Sequence, residues 1–209
     1  MEKDNFFLWR TAFLLSILTI LYNFIEGFIS IYWGIQDDTL ALFGFGLDSF
    51  VELISGVGIF RMVIRIKNNT NEFRDSFEKK ALQITGTSFY LLSLGLLIGS
   101  FIQLYFGAYP TTTVRGSIIA SISIVVMWWI INKKLKVGRA LGSNAIIADA
   151  NCTKACMHLS IVLLVSSIGY ELFDFKKIDS LGSILISGIA FREGKECFKK
   201  ALDQSNSCC

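Results

Sequence analysis

Residues 42–55 read LFGFGLDSFVELIS, which sets two carboxylic acids inside a continuous run of apolar residues. The run extends over 39–66 and exceeds the ~20 residues that a helix needs to cross a bilayer. Asp48 and Glu52 are four positions apart and therefore share one helix face, which Ser55 continues. A charge within a span costs about 2.5–3.5 kcal/mol on insertion scales, so the pair indicates a function.

The rest of the chain has the same apolar character. Its 209 residues are 53% hydrophobic and 18% charged, whereas a soluble chain carries about a quarter charged residues. We predict an all-α membrane protein in which a transmembrane domain over 1–198 precedes a short cytoplasmic tail over 199–209, with no C-terminal soluble domain. The six predicted transmembrane helices cover residues 9–34, 39–66, 81–107, 113–133, 143–171 and 178–198.

Lysine and arginine predict the orientation, because they are in excess on the cytoplasmic side of membrane proteins. They concentrate in 61–80, in 133–139 and from residue 192 onward. We therefore predict two cytoplasmic basic loops and two cytoplasmic termini. The protein is expected to be multi-pass in a cell membrane or, alternatively, an organelle membrane.

The fifth span contains a second pair of polar residues at four-residue spacing, Cys152 and Cys156, with Asp149 one turn earlier. Thiolates and carboxylates together make tetrahedral sites for zinc or a related ion. If the second and fifth spans face each other, Cys152 and Cys156 join Asp48 and Glu52 as predicted metal ligands, and Asp149 is either a further ligand or a residue that orients one. Two alternatives stay open. The cysteines are often only small buried hydrophobic residues, and the acidic pair can serve a structural hydrogen-bond network.

The first span adds Asn23 and Glu26 within an apolar stretch. We assign them, with Ser55, to proton relay or to support of the metal ligands, and Glu26 is alternatively a counter-ion for Lys154. His158 lies two residues after Cys156 and points to another side of the helix, which favours a structural role.

Two further features bear on partners. Cys208 and Cys209 end the chain, and their soft thiols can capture metal, although such a tail is more often incidental. Gly95 and Gly99 form a small-xxx-small pattern in the third span, which serves either a dimer face or packing within one subunit.

These residues resemble the membrane domain of the cation diffusion facilitators. The resemblance is carried by FGFGLDSFVE at 43–52, IADA at 147–150 and AFREGKE at 190–196. It implies a homodimer that exchanges zinc or a similar divalent ion for protons by alternating access. The family's site joins the acidic pair of the second span to a His-xxx-Asp pair in the fifth, where this chain has Cys152 and Cys156. The chain is most similar to the branch that contains the transmembrane protein 163 group, whose fifth-span ligands also deviate.

We therefore predict a transporter and not an enzyme. Its substrates are a zinc-type divalent ion and protons, with the lipid bilayer as solvent, no organic cofactor and no nucleic-acid partner. Sulfur ligands make cadmium, mercury or cuprous ion alternatives. A non-transporting membrane metal sensor or accessory protein also stays open. A thiol oxidoreductase is less favoured, because such enzymes typically use Cys-x-x-Cys.

Overall fold

A computed structural model of the chain describes residues 2–67, 74–107, 110–142, 144–173 and 177–206. Within these ranges every regular element is an α-helix, so the predicted all-α class is confirmed. The helices are α1 Glu2–Gln36, α2 Leu40–Lys67, α3 Arg74–Phe106, α4 Val114–Ala140, α5 Asn144–Phe173 and α6 Ile178–Asn206.

Five of the helices are long and apolar enough to cross a membrane. Their apolar parts are Phe7–Gln36, Leu40–Gly58, Gly86–Phe106, Val114–Ala140 and Asp149–Leu172. The sixth helix, α6, has 29 residues but is more polar, because serines line its buried side and charges follow Phe191. Its role as a sixth span, like the cytoplasmic position of the termini, stays a prediction.

The helices pack chiefly as three antiparallel pairs, α1 with α2, α3 with α6, and α4 with α5. Close approaches depend on small residues: Gly34 faces the backbone of Phe43, and Gly194 faces the ring of Tyr90. Helix α2 also contacts α3, α5 and α6. This central position buries the side of α2 that carries the acidic pair.

The end of the bundle at the α1–α2, α3–α4 and α5–α6 connections is the acidic end, and the opposite end is the basic end. At the acidic end, carboxylates cap helices both between pairs and within one pair. Asp179 on α6 accepts hydrogen bonds from the backbone N of Leu40 (3.0 Å) and from Gln103 Nε2 (3.2 Å). Glu171 on α5 accepts one from the backbone N of Thr113 at 2.7 Å. Each carboxylate satisfies an orphan N–H at a helix N-terminus, where negative charge is favourable.

A third contact at the acidic end is an ion pair. Arg115 Nη1 lies 2.5 Å from Asp37 Oδ1, and the guanidinium stacks over the ring of Trp33 at 3.8 Å. The pair joins α4 to the connection between α1 and α2. Together with the caps, it ties all three helix pairs together at this end.

The prediction that residues 133–139 form a loop is wrong. Helix α4 runs to Ala140, and the chain turns at Gly142, whose φ of 60° suits a residue without a side chain. The basic residues Lys79 and Lys80 likewise belong to α3. The helices continue past the apolar run because their hydrogen bonding does not depend on the edge of the bilayer.

Candidate metal site between α2 and α5

Asp48 and Glu52 lie on the buried side of α2 and are 0% and 2% exposed. Because α2 begins at Leu40, they lie about 12 and 18 Å from its start. That depth is near the middle of a hydrocarbon core about 30 Å thick. Among the described residues, none of the carboxyl oxygens of the pair has a hydrogen-bond partner. Such carboxyls must be neutralised, by protons or by a bound cation.

Cys156 supplies the third group of the cluster, from α5. It is 2% exposed, and its thiol interacts with the carboxyls of both Asp48 and Glu52. Cys152 is half-buried. Since α5 is antiparallel to α2, Cys152 lies one turn further toward the Glu52 end. Neither cysteine is in a disulfide. The structure thus brings together α2 and α5, with carboxylates on one helix facing sulfur on the other.

The cluster is not a complete coordination sphere. Over the described ranges, no three His, Cys, Asp or Glu side chains are grouped closely enough to hold a metal ion. A cation would therefore have to draw the carboxyls and the thiol closer together on binding. The attraction is strong in a low-dielectric interior, where opposite charges interact more strongly than in water.

Asp149 does not lie in this cluster. Its Oδ2 is 2.8 Å from Lys134 Nζ, with the two side chains 3% and 2% exposed. The same ammonium donates to Thr153 Oγ1 at 3.0 Å. Asp149 is seven residues from Cys156 along α5, or about 10 Å toward the basic end. A lysine of this chain thus occupies the place that a bound cation would take at Asp149.

Glu26 lies on α1 and is 5% exposed. Its Oε1 accepts a hydrogen bond from Tyr22 Oη at 2.6 Å, and its Oε2 accepts one from Ser49 Oγ at 3.1 Å. It also interacts with Ser123 on α4 and is close enough to Glu52 to repel it electrostatically. Glu26 therefore joins α1 to α2 through the hydroxyl group of Ser49 and lies beside the acidic pair.

Asn23 is 1% exposed and lies one turn from Glu26 toward the basic end. Because α1 and α2 are antiparallel and Glu26 lies beside Ser49, Asn23 reaches the depth of Glu52. Neither atom of its amide has a partner in the part of the chain that the structure describes. Its oxygen is thus an additional neutral donor for a cation at the pair.

The remaining residues that the sequence singled out are not part of the cluster that the structure describes. Ser55 lies on α2 with its side chain outside the described part, and Cys208 and Cys209 lie outside the described residues. Lys154 and His158 are exposed on α5. In the third span, a side chain at Gly95 would meet no atom within 4 Å, whereas Gly99 packs against Leu40.

Five residues at or near the site were not predicted from the sequence: Tyr22, Ser49, Ser123, Met127 and Lys134. Tyr22 precedes Glu26 by four residues, a spacing that brings side chains together on a helix. This signal was available. Lys134 was assigned to a basic loop, and its pairing with Asp149 depends on the contact between α4 and α5. The sequence alone does not contain that information.

Comparison with known proteins agrees with this architecture. Residues 16–204 match the family model described as the cation efflux transmembrane domain. The magnetosome protein MamB of Paramagnetospirillum magneticum is 25% identical over 168 residues, which are 78% of this chain and 56% of that protein. The mitochondrial metal transporter 2 of Saccharomyces cerevisiae is 30% identical over 98 residues, which are 45% of this chain and 20% of that protein. The chain thus spans less than two thirds of the length of these relatives.

Proposed function

The chain belongs to the cation efflux family, and on that premise we propose that it carries a zinc-type divalent ion across a membrane through a site between α2 and α5. The observation that supports this most strongly is the pair Asp48 and Glu52. The pair is buried near mid-membrane, its oxygens accept no hydrogen bond within standard distance from the described residues, and it lies close enough to Cys156 to interact with it electrostatically. A cation supplies the positive charge that this cluster lacks.

We assign Asp48, Glu52 and Cys156 as ligands, with Cys152 and the Asn23 amide oxygen as the next donors. Two carboxylates and a thiolate suit zinc, which binds oxygen and sulfur donors in tetrahedral geometry. Asp149 is held by Lys134 and acts indirectly, by fixing the orientation of α5 against α4. The tail thiols of Cys208 and Cys209 would capture metal before it reaches the pair.

Proton coupling follows from the same groups. A carboxyl or thiol must lose its proton to bind metal, so binding releases protons and protonation expels the ion. With the basic end in the cytoplasm, metal enters from that side and an inward proton gradient drives its export by alternating access. Glu26, with Tyr22 and Ser49, provides a path for protons from α1 toward Glu52. A homodimer, held by membrane helices, is the proposed assembly.

The experiment is zinc flux into proteoliposomes under an imposed pH gradient. We expect gradient-dependent flux in the parent and about a tenfold or greater loss in Asp48→Asn, because removing a charged ligand should cost at least as much metal affinity as removing a group that supports one. The matched control is Asp179→Asn. This carboxylate is also buried (1% exposed), but it accepts hydrogen bonds that an amide oxygen can still accept, so flux should persist.

Two outcomes would contradict the proposal. Asp48→Asn protein that moves zinc as fast as the parent would remove the pair from the transport path. Folded parent protein that binds zinc at the pair but moves no ion under any gradient would instead establish a membrane metal sensor or accessory protein.

A further inference from the structure

Met127 on α4 lies beside the thiol of the proposed site. It is 1% exposed and forms one buried cluster with Cys156 and Ile131, against which Tyr22 and Met157 pack. The site is therefore bordered by a thioether sulfur, from a helix other than α2 and α5.

The packing of α4 on α5 sets Met127 opposite Cys156. Toward the acidic end from this contact, Ser123 Oγ lies 3.0 Å from Ser160 Oγ, and toward the basic end Lys134 forms an ion pair with Asp149. Met127 is four residues after Ser123, and Cys156 is four residues before Ser160. Because the helices are antiparallel, these steps lead to the same depth.

The sulfur atom of Met127 is oriented by hydroxyl groups. Ser123 Oγ donates to Met127 Sδ at 3.5 Å, and Ser160 Oγ approaches the same sulfur at 3.9 Å. A methionine that merely fills a gap would need no polar neighbours, because its flexible side chain adapts to apolar surroundings. Here the thioether is held by polar contacts from two helices, next to the cluster of carboxyls and thiol.

We infer that Met127 is a selectivity-determining ligand, which with Cys156 enables the site to bind a soft monovalent cation of the cuprous class in addition to a zinc-type ion. A neutral thioether contributes little to a borderline divalent ion, whereas thioether and thiolate together favour Cu(I). The inference rests on the proposed function, since it assigns the same site a second class of substrate.

The test measures the affinities of purified full-length protein for Cu(I) and for zinc, by competition with chromophoric chelators under reducing conditions. All variants carry Cys208→Ser and Cys209→Ser so that tail thiols do not bind the probe. Met127→Leu keeps the side-chain volume and removes the sulfur. We expect it to weaken Cu(I) binding by about tenfold or more, at least the loss seen when a group that supports a metal ligand is removed. Zinc affinity should stay nearly unchanged.

Met157→Leu is the matched control, because Met157 packs on the same cluster and its substitution also removes a thioether sulfur. We expect both affinities to be retained. Equal weakening of Cu(I) by the two variants, or equal weakening of Cu(I) and zinc by Met127→Leu, would overturn the inference and leave Met127 a packing residue.

X-ray absorption of Cu(I) bound to protein that carries Cys152→Ser, Cys208→Ser and Cys209→Ser gives a second measurement, made with Met127 in place. Two sulfur ligands that fall to one when Met127→Leu is added support the inference, and a sulfur count that Met127→Leu leaves unchanged contradicts it. Parent protein that transports zinc but does not bind Cu(I) overturns this inference alone. Parent protein that binds neither ion overturns the proposed function as well.

Discussion

Two buried acidic regions lie on helices that contact each other, α5 and α2, but differ in how their charge is balanced. Asp149 on α5 has its cation within the chain, the ammonium of Lys134 at 2.8 Å. Asp48 and Glu52 on α2 have buried carboxyl oxygens without partners among the described residues. The negative charge of Asp149 is therefore balanced within the protein without any ligand. The second region requires protons or a cation, and on this difference we base the proposal that Asp48 and Glu52, and not Asp149, are ligands of the transported ion.

The two acidic regions also differ in their position among the helix pairs. The Lys134–Asp149 pair joins α4 to α5, which are already a closely packed pair. The acidic cluster lies where α2 meets α5, between two different pairs. A site between two helix pairs can change shape when the helix pairs move. The Lys134–Asp149 ion pair lies within one helix pair and holds its two helices together.

The largest expected effect comes from removing the built-in cation. Lys134→Met should lower the free energy of unfolding by about 3–5 kcal/mol, because it leaves Asp149 as a buried charge without its partner. Reversible unfolding in detergent measures the change. Lys134→Met combined with Asp149→Asn should recover most of the loss, since no unpaired charge then remains. An unchanged stability in Lys134→Met would mean that the pair does not hold α4 to α5.

The contrast between the regions shows what the sequence could predict. The apolar runs predicted the helices, and the four-residue spacing of Asp48 and Glu52 predicted their common buried face. The same spacing suggested that Asp149 would accompany the cysteines, but it cannot reveal a lysine on another helix. Whether a buried carboxylate is paired depends on tertiary contacts. For the same reason, the contact of Ser49 with Glu26 and the position of Met127 beside Cys156 were not predicted, whereas the spacing of Tyr22 and Glu26 was visible in the sequence.

The second effect concerns stabilisation by metal. At zinc about 100-fold above Kd, the parent should gain about 2.7 kcal/mol in its free energy of unfolding. Asp48→Asn should gain almost nothing, whereas Asp179→Asn should gain as much as the parent. Thermal unfolding with and without zinc checks this prediction. Equal stabilisation of Asp48→Asn and the parent would show that zinc binds elsewhere.

The third effect is the pH dependence of zinc affinity. The ligands must be deprotonated to bind metal, so lowering the pH should weaken zinc binding by about tenfold per pH unit for each proton displaced. The affinity is therefore highest at alkaline pH and falls as the carboxyls and the thiol take up protons. Equilibrium binding over a pH series measures the slope. A zinc affinity independent of pH would exclude proton exchange at this site.

The smallest effect tests the network beside the site. Tyr22→Phe removes the 2.6 Å hydrogen bond to Glu26 Oε1 and should lower the free energy of unfolding by about 1 kcal/mol. Because Glu26 keeps the hydrogen bond from Ser49, zinc affinity should change only slightly while proton-driven flux slows. Thr11→Val is a control, since within the described residues Thr11 Oγ1 bonds only in its own helix, to the Phe7 carbonyl. Flux equal to that of the parent in Tyr22→Phe would remove the network from the proton path.

The most direct test of the central claim is a structure of the protein with zinc bound, in which anomalous scattering locates the ion. We expect zinc between α2 and α5, ligated by the carboxylates of Asp48 and Glu52 and by Cys156 Sγ, with the Lys134–Asp149 pair intact. Zinc bound at Asp149 with Lys134 displaced, or zinc found away from the Asp48–Glu52 pair, would contradict it.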